Sequence, residues 1–225
     1  MHQRSPVVFL LTSCLIAGSA LAQPAAMTDK EKLSYTIGVQ LAQTVLRQNL
    51  DLDDKALMQG IQDALAEKGL KLTHDQMRDV LMKYHEAEVK KHKQAAEENL
   101  KKGEAFMAEN KKKQGVVELP GGLQYKILTQ GKGKKPTLDD SITVNYEGKL
   151  LDGTVFDSSY QRGEPVTLKL NQVIEGWRQA LPLMSVGSKW MLFVPPKLAY
   201  GDNSPSPKIG PNSTLIFTVE LMSIN

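Results

Sequence analysis

The sequence predicts an α+β protein in which helices and strands are segregated along the chain, helices first. Between Thr73 and Gln114 there is no proline and one glycine, Gly103, so a single long helix is expected there. From Leu123 onward the pattern changes to short alternating strands broken by Pro and Gly. The β half is organised around Val173-Ile174-Glu175-Gly176-Trp177, where Gly176 is expected to permit a sharp turn and Trp177 to Leu181 to form a short helix stopped by Pro182. A helix that short needs a sheet to lie in. Strands are predicted around it at Ile142 to Leu150, Val166 to Leu170, Lys189 to Val194 and Thr214 to Met222, which makes Trp177 either a core plug or the floor of a pocket.

The 225 residues are 41% hydrophobic and 24% charged, the composition of an ordinary globular protein. Residues 1–22 read as a signal peptide: a weakly basic start (His2, Arg4), an apolar run from Val7 to Ala17, and Ala20-Leu21-Ala22 as a cleavage site. The run is shorter than the ~20 residues that span a bilayer. Cys14, the only cysteine, lies inside this leader in a loose lipoprotein-like context, so the mature chain is expected to have no thiol chemistry and no disulfide. Loss of Arg4 leaves 27 basic residues against 25 acidic, a balance that gives no reason to expect nucleic acid as a partner.

Thr28 with Glu31, and Thr73 with Gln76, are spaced as capping boxes for the first and third helices, and Asp53 or Asp54 caps the second. Leu33, Ile37, Leu41 and Val45 form one stripe of the first helix, and Tyr35, Val39, Ala42 and Leu46 a second. Two apolar faces imply two neighbours, one of them a candidate partner chain. In the second helix Leu57, Ile61, Ala64 and Leu65 are expected to face inward, with Gly69 as the stop. Met77, Val80, Leu81 and Tyr84 suit docking of the third helix on the first two. Beyond them the apolar positions thin to Ala95, Ala96, Leu100, Phe106 and Met107, with Glu97-Lys101, Glu98-Lys102 and Glu109-Lys113 at a favourable offset, and this half reads as a solvated stalk. Eight lysines against four glutamates between Lys90 and Lys113 fit the same solvated face. The expected organisation is 1–22 leader, 23–72 helical domain, 73–115 linker helix and 116–225 β domain.

In the β domain Leu123, Tyr125 and Ile127 alternate against Gln124 and Lys126, and Asp152-Gly153 marks a hairpin. Asn212-Ser213-Thr214 is read as a turn. All four histidines precede this domain, and no phosphate loop or acid cluster with metal spacing is visible, so no metal and no cofactor are expected. A reaction carried here must do without histidine, thiol or metal chemistry.

Six blocks in order, Val144-Asn145-Tyr146-Glu147-Gly148, Asp152 to Ser159, Val173 to Trp177, Leu183-Met184-x-Val186-Gly187, Leu198-Ala199-Tyr200-Gly201 and Ile209-Gly210-Pro211-x-x-x-Leu215-x-Phe217, resemble the FKBP-type peptidyl-prolyl cis/trans isomerases. The helical half resembles the macrophage infectivity potentiator-like branch, whose members are exported V-shaped homodimers. The resemblance implies an antiparallel half-barrel wrapped on the short helix, with a pocket for a proline ring and an N-terminal dimerisation domain. Asp157, Tyr200, Trp177 and Ile174 match the family's catalytic positions, and Tyr146, Phe156, Val173, Ile209 and Phe217 its substrate-binding ones. The ring would sit on Trp177, and the Tyr200 hydroxyl and Ile174 amide would bond substrate carbonyls. Arg162 matches a family position expected to brace Asp157 or the neighbouring loop, while Val166, Leu168 and Pro205-Ser206-Pro207 depart from the family pattern at the rim. The implied partners are proline-containing unfolded proteins, a second copy of the chain and macrolide inhibitors, in the periplasm or at the cell surface. The physical chemistry fits: the planar amide is more charge-separated than the twisted one, so an apolar pocket favours the twisted form without a nucleophile or base. A chaperone or adhesin that only binds through the pocket and cleft is the competing reading.

Overall fold

The computed structural model describes residues 27–47, 50–66 and 69–225; the expected leader and Cys14 lie outside the described residues. The chain divides into two compact units at residue 54.

In the first unit, α1 (Asp29–Arg47) begins at the expected capping box: the Glu31 carboxylate accepts from the Thr28 amide at 2.7 Å, and the Thr28 hydroxyl accepts from the Glu31 amide at 3.3 Å. It buries none of its side chains, and Leu33, Tyr35, Ile37, Leu41 and Leu46 from both stripes are exposed.

The second unit holds α2 (Asp54–Leu65), α3 (His74–Asn110) and the β half. Of the four α2 positions expected inward, Leu57 and Ile61 are half-buried but Ala64 and Leu65 are exposed. Among the described residues of this unit nothing covers that end of the stripe. Of the α3 positions expected to dock, Met77 is half-buried, beside Gly60 and Leu72, while Val80, Leu81 and Tyr84 are exposed, so within this unit only Met77 packs toward α2. The 37 residues of α3, capped by the Thr73–Gln76 box, rise ~55 Å.

The β half is one antiparallel sheet of β1 (Val116–Glu118), β2 (Gln124–Thr129), β3 (Ser141–Lys149), β4 (Val155–Ser158), β5 (Val166–Lys169), β6 (Lys189–Val194) and β7 (Leu215–Ile224). The order is β1-β2-β6-β7-β3-β4, with β5 also paired to β3. A four-residue helix, α4 (Ser159–Arg162), follows β4, and α5 (Glu175–Ala180) lies against the sheet. The Asp152-Gly153 hairpin forms as expected, with Gly153 at φ +89°. Strand alternation sends Leu215, Phe217, Val219 and Leu221 of β7 to one face, where they pack with Trp190, Leu192, Val194 and α5.

Two expectations change. Gly176 is not at a turn but inside α5, where a Cβ would stand 2.6 Å from Val194 Cγ1. The glycine is needed for close packing of helix on strand rather than for backbone freedom. The helix also starts earlier, at Glu175, and Pro182 sits inside a following 3-10 turn (Leu181–Leu183) instead of ending the structure abruptly.

The larger correction concerns the second half of α3, which is not a stalk. Ala96, Gly103 and Asn110, seven residues apart, are its buried positions, and Asn99 and Phe106 lie between them on the same face. This seam covers the sheet face opposite α5. Phe193 points to that side of β6 and is 5% exposed because the Phe106 ring stands 5.9 Å away. Its register partner Gln124, expected outside, is fully buried: it donates to the Met107 carbonyl and Glu118 (both 2.9 Å) and accepts from Asn110 Nδ2 at 3.0 Å. Ile127, expected inside, is exposed. Asn99 Nδ2 also donates to the Pro211 carbonyl at 2.8 Å. The seam escaped detection because small and polar residues carry it, which apolar periodicity does not register. Of the three ion pairs, Glu98–Lys102 forms at 2.6 Å, but Glu109 pairs with Lys112, and Lys113 lies over the Phe106 ring.

At Gly103 an added Cβ would come within 2.2 Å of Thr214 Oγ1, a side chain that is itself 2% exposed. Gly103→Val therefore forces the helix off the sheet. It is expected to lower stability by about 1–3 kcal/mol in urea denaturation, the usual cost of overpacking. An exposed glycine such as Gly60, which has nothing within 4 Å, should show no such loss on replacement by alanine.

Candidate active site

A pocket of about 240 Å³ opens on the α5 side of the sheet. Its floor is Trp177, 4% exposed, on α5. The Trp177 ring meets Tyr146 of β3 edge-on, with centroids 5.4 Å apart at 87°, and Phe217 of β7 at 5.3 Å and 80°. Phe156 of β4 meets Phe217 at 5.6 Å and 87°. Edge-to-face pairs add about 0.5–1.5 kcal/mol each beyond their burial, so the walls hold one another upright.

Eight of the nine expected site residues line this pocket: Asp157, Tyr200, Trp177, Ile174, Tyr146, Phe156, Val173 and Phe217. Ile209 does not; it lines an adjoining depression of about 290 Å³ with Pro205 and Ser206, and the two spaces share Phe156, Asp157 and Tyr200. Leu168, noted for departing from the family pattern, lies in the wall. Gln172 also lines the pocket and was missed; its place directly before Val173 was the available signal.

Three polar groups form a chain along the rim. The Tyr146 hydroxyl donates to Asp157 Oδ2, Arg162 Nη1 pairs with Asp157 Oδ1, and Arg162 Nη2 donates to the Tyr146 hydroxyl at 3.0 Å. The Arg162 guanidinium also stands over the Tyr146 ring, 5.5 Å from its centroid. Partial burial pushes the Asp157 carboxyl upward, but the hydrogen bonds from Tyr146 and Arg162 and the arginine charge outweigh it and hold it below the ordinary value. Burial pushes the Tyr146 hydroxyl up, helped by its bond to Asp157. The Tyr200 hydroxyl is raised by burial and by the Asp157 charge. At neutral pH the site therefore holds one ionised carboxylate and two protonated phenols.

Two residues of the lining keep a donor without an internal partner. Among the described residues neither the Ile174 amide nor the Tyr200 hydroxyl makes a hydrogen bond within the chain. Ile174 is the N-cap of α5, where the backbone N–H has no intrahelical acceptor. Among the described residues no group of three or more His, Cys, Asp or Glu could hold a metal ion.

An antiparallel sheet wrapped on a short helix, with an aromatic pocket rimmed by a fixed carboxylate and two phenols, defines a site for an apolar ring flanked by polar groups. The comparisons agree. Residues 132–222 match the family model for the FKBP-type peptidyl-prolyl cis-trans isomerase, and residues 30–127 the one for the domain amino terminal to it. The chain is 48% identical over 201 residues to the outer membrane protein MIP of Legionella longbeachae, covering 88% of this chain and 86% of that one. It is 42% identical over 220 residues to the peptidyl-prolyl cis-trans isomerase Mip of Coxiella burnetii, covering 96% of each. The crystal structure of FkpA from Escherichia coli superposes with a TM-score of 0.61 at 37% identity, over 89% of this chain and 99% of that one. The chain belongs to the FKBP-type peptidyl-prolyl cis-trans isomerases. Its relatives within that family are of the Mip and FkpA kind, and it is a prolyl isomerase enzyme.

Because Asp157 is more acidic folded than unfolded, its contribution to stability is complete above the ordinary carboxylate value of about 3.9 and is lost as pH falls through the lower folded value. Arg162→Ala should move the Asp157 titration upward, read by carboxyl-carbon NMR, and shift that acid limb to higher pH. An unchanged titration would mean that the arginine does not brace the carboxylate.

Proposed function

We propose that the pocket accelerates X-Pro isomerisation in exported proteins as they fold, with the proline ring on Trp177 and the rotating amide beneath Tyr200 and Asp157. The carrying observation is the pairing of an aromatic, largely apolar pocket with two unpartnered donors, the Ile174 amide and the Tyr200 hydroxyl. Rotation about the C–N bond faces a barrier of ~18–20 kcal/mol, and the planar state gives up charge separation as it twists. Apolar walls built by Trp177, Phe156, Val173 and Phe217 stabilise the less polar twisted state. The Ile174 amide and Tyr200 hydroxyl hold the flanking carbonyls, which keeps the chain from turning with the bond. Asp157, fixed from both sides, presents a constant negative charge and takes no proton. Each ~1.4 kcal/mol of preference for the twisted form is a factor of ten in rate. Tyr146, Leu168 and Gln172 shape the rim, and Ile209 lines the adjoining space for residues beyond the proline. The same walls suit a macrolide of the FKBP-ligand class.

The exposed stripes of α1 support dimerisation through that helix, since Leu33, Ile37 and Leu41 together are an apolar face uncovered among the described residues of its own unit. No described helix is long and apolar enough to cross a membrane. The location we infer is periplasmic or outer-membrane-associated, and the name of the Legionella longbeachae relative, an outer membrane protein, supports the second.

A protease-coupled assay on a short X-Pro peptide tests the site. The enzyme should accelerate isomerisation, a macrolide should block it, and Tyr200→Phe should lower kcat/KM about 2- to 10-fold, the worth of one hydrogen bond. Asp157→Leu should lower it as well. Full activity in both variants would place the chemistry elsewhere.

Sedimentation tests the assembly. The chain should sediment as a dimer, and Ile37→Glu with Leu41→Glu should yield a monomer that retains short-peptide activity. A wild-type monomer would remove the dimer.

A further inference from the structure

Resting on the reading of the pocket as the catalytic site, we propose that a second groove, between α3 and the segment Pro195–Gly201, holds a neighbouring apolar stretch of the same unfolded polypeptide substrate. The groove has a volume of about 500 Å³, twice that of the catalytic pocket. Leu100, Met107 and Ala108 of α3 form one wall, and Pro195 and Pro196 the other. It exists only because the seam at Gly103 brings the helix down onto the sheet.

The catalytic pocket and the groove flank one segment of chain. Tyr200 lines the pocket and Gly201, the next residue, lines the groove. Leu198 lies between them: its backbone oxygen stands 3.4 Å from the Cβ position of Gly176, beside Trp177, and its side chain 3.8 Å from that of Gly121, which lines the groove. Gly201 is tied to the far side by the Asn212 amide, which donates to its carbonyl at 2.7 Å. The two spaces lie on either side of Pro195–Gly201, so a long polypeptide whose proline occupies the pocket reaches the groove by passing over that one segment.

The chemistry of the lining suits a peptide rather than an anion or cation. Glu104 and Glu118 are balanced by Lys111 and Lys197, so the rim has no net charge and offers both donors and acceptors to a backbone. The apolar walls supply a place for one large side chain. A tetrapeptide is confined to the pocket, whereas a long chain can engage both surfaces, and the first contact raises the effective concentration for the second.

The test uses the full chain with a photo-crosslinking residue at Ala108, and the same residue at Met222, an exposed site that lines neither space. The probe is a reduced, carboxymethylated, proline-containing polypeptide. Crosslinking is expected at position 108 and not at 222. Ala108→Trp, which fills the groove, should raise the KM for catalysed refolding of a proline-limited protein roughly tenfold, with kcat and the tetrapeptide kcat/KM unchanged. Leu100→Gln, which removes apolar surface without adding bulk, should raise that KM in the same direction. Crosslinking at 108 no stronger than at 222, or an unchanged refolding KM in both variants, overturns the proposal. If instead the wild-type chain fails on the tetrapeptide, the reading of the pocket falls while the crosslink still reports on the groove.

Discussion

The pocket depends on one contact, the close approach of α5 to β6 at Gly176. With any side chain there, Val194 would push the helix outward and Trp177 would leave the two rings that hold it edge-on. Burying a side chain of that size is worth about 1.5–3 kcal/mol or more, which accounts for a six-residue helix persisting where it could not stand alone. The floor of the pocket and part of the core are therefore one object. The two readings of Trp177, plug or floor, are both true.

The rim is organised on a different principle. Asp157 is only partly shielded from solvent and stays ionised because Tyr146 and Arg162 donate to its two oxygens. The carboxylate has no proton to give and its neighbouring phenols are held protonated, so the site is electrostatically fixed. This suits a reaction in which no bond to hydrogen is made or broken. The donors left unpaired, at Ile174 and Tyr200, are those a peptide could use.

A second glycine contact ties α3 to the sheet. Gly103 on Thr214, the Phe106–Phe193 ring pair and the buried Gln124–Asn110 bond fix the last turns of α3 to the back of the sheet. Movement of α3 in that region would have to carry the sheet along or open its back face. Together with α5 on the other side, these contacts give the sheet two covered faces.

The sequence by itself determined the α+β order, the capping boxes, the Asp152-Gly153 hairpin and the identity of eight residues that converge on one pocket. Each is written locally, in caps, alternation or ordered motifs that a single stretch of chain carries. Only the tertiary structure decided where α3 lies, that Gln124 is inside and Ile127 outside, that Gly176 serves packing rather than turning, and that Ile209 stands beside the pocket instead of in it. Those outcomes depend on which surfaces meet across long separations in the chain. The α3 seam was illegible because glycine, alanine and asparagine were chosen for closeness and hydrogen bonding, and neither leaves a hydrophobic period in the sequence.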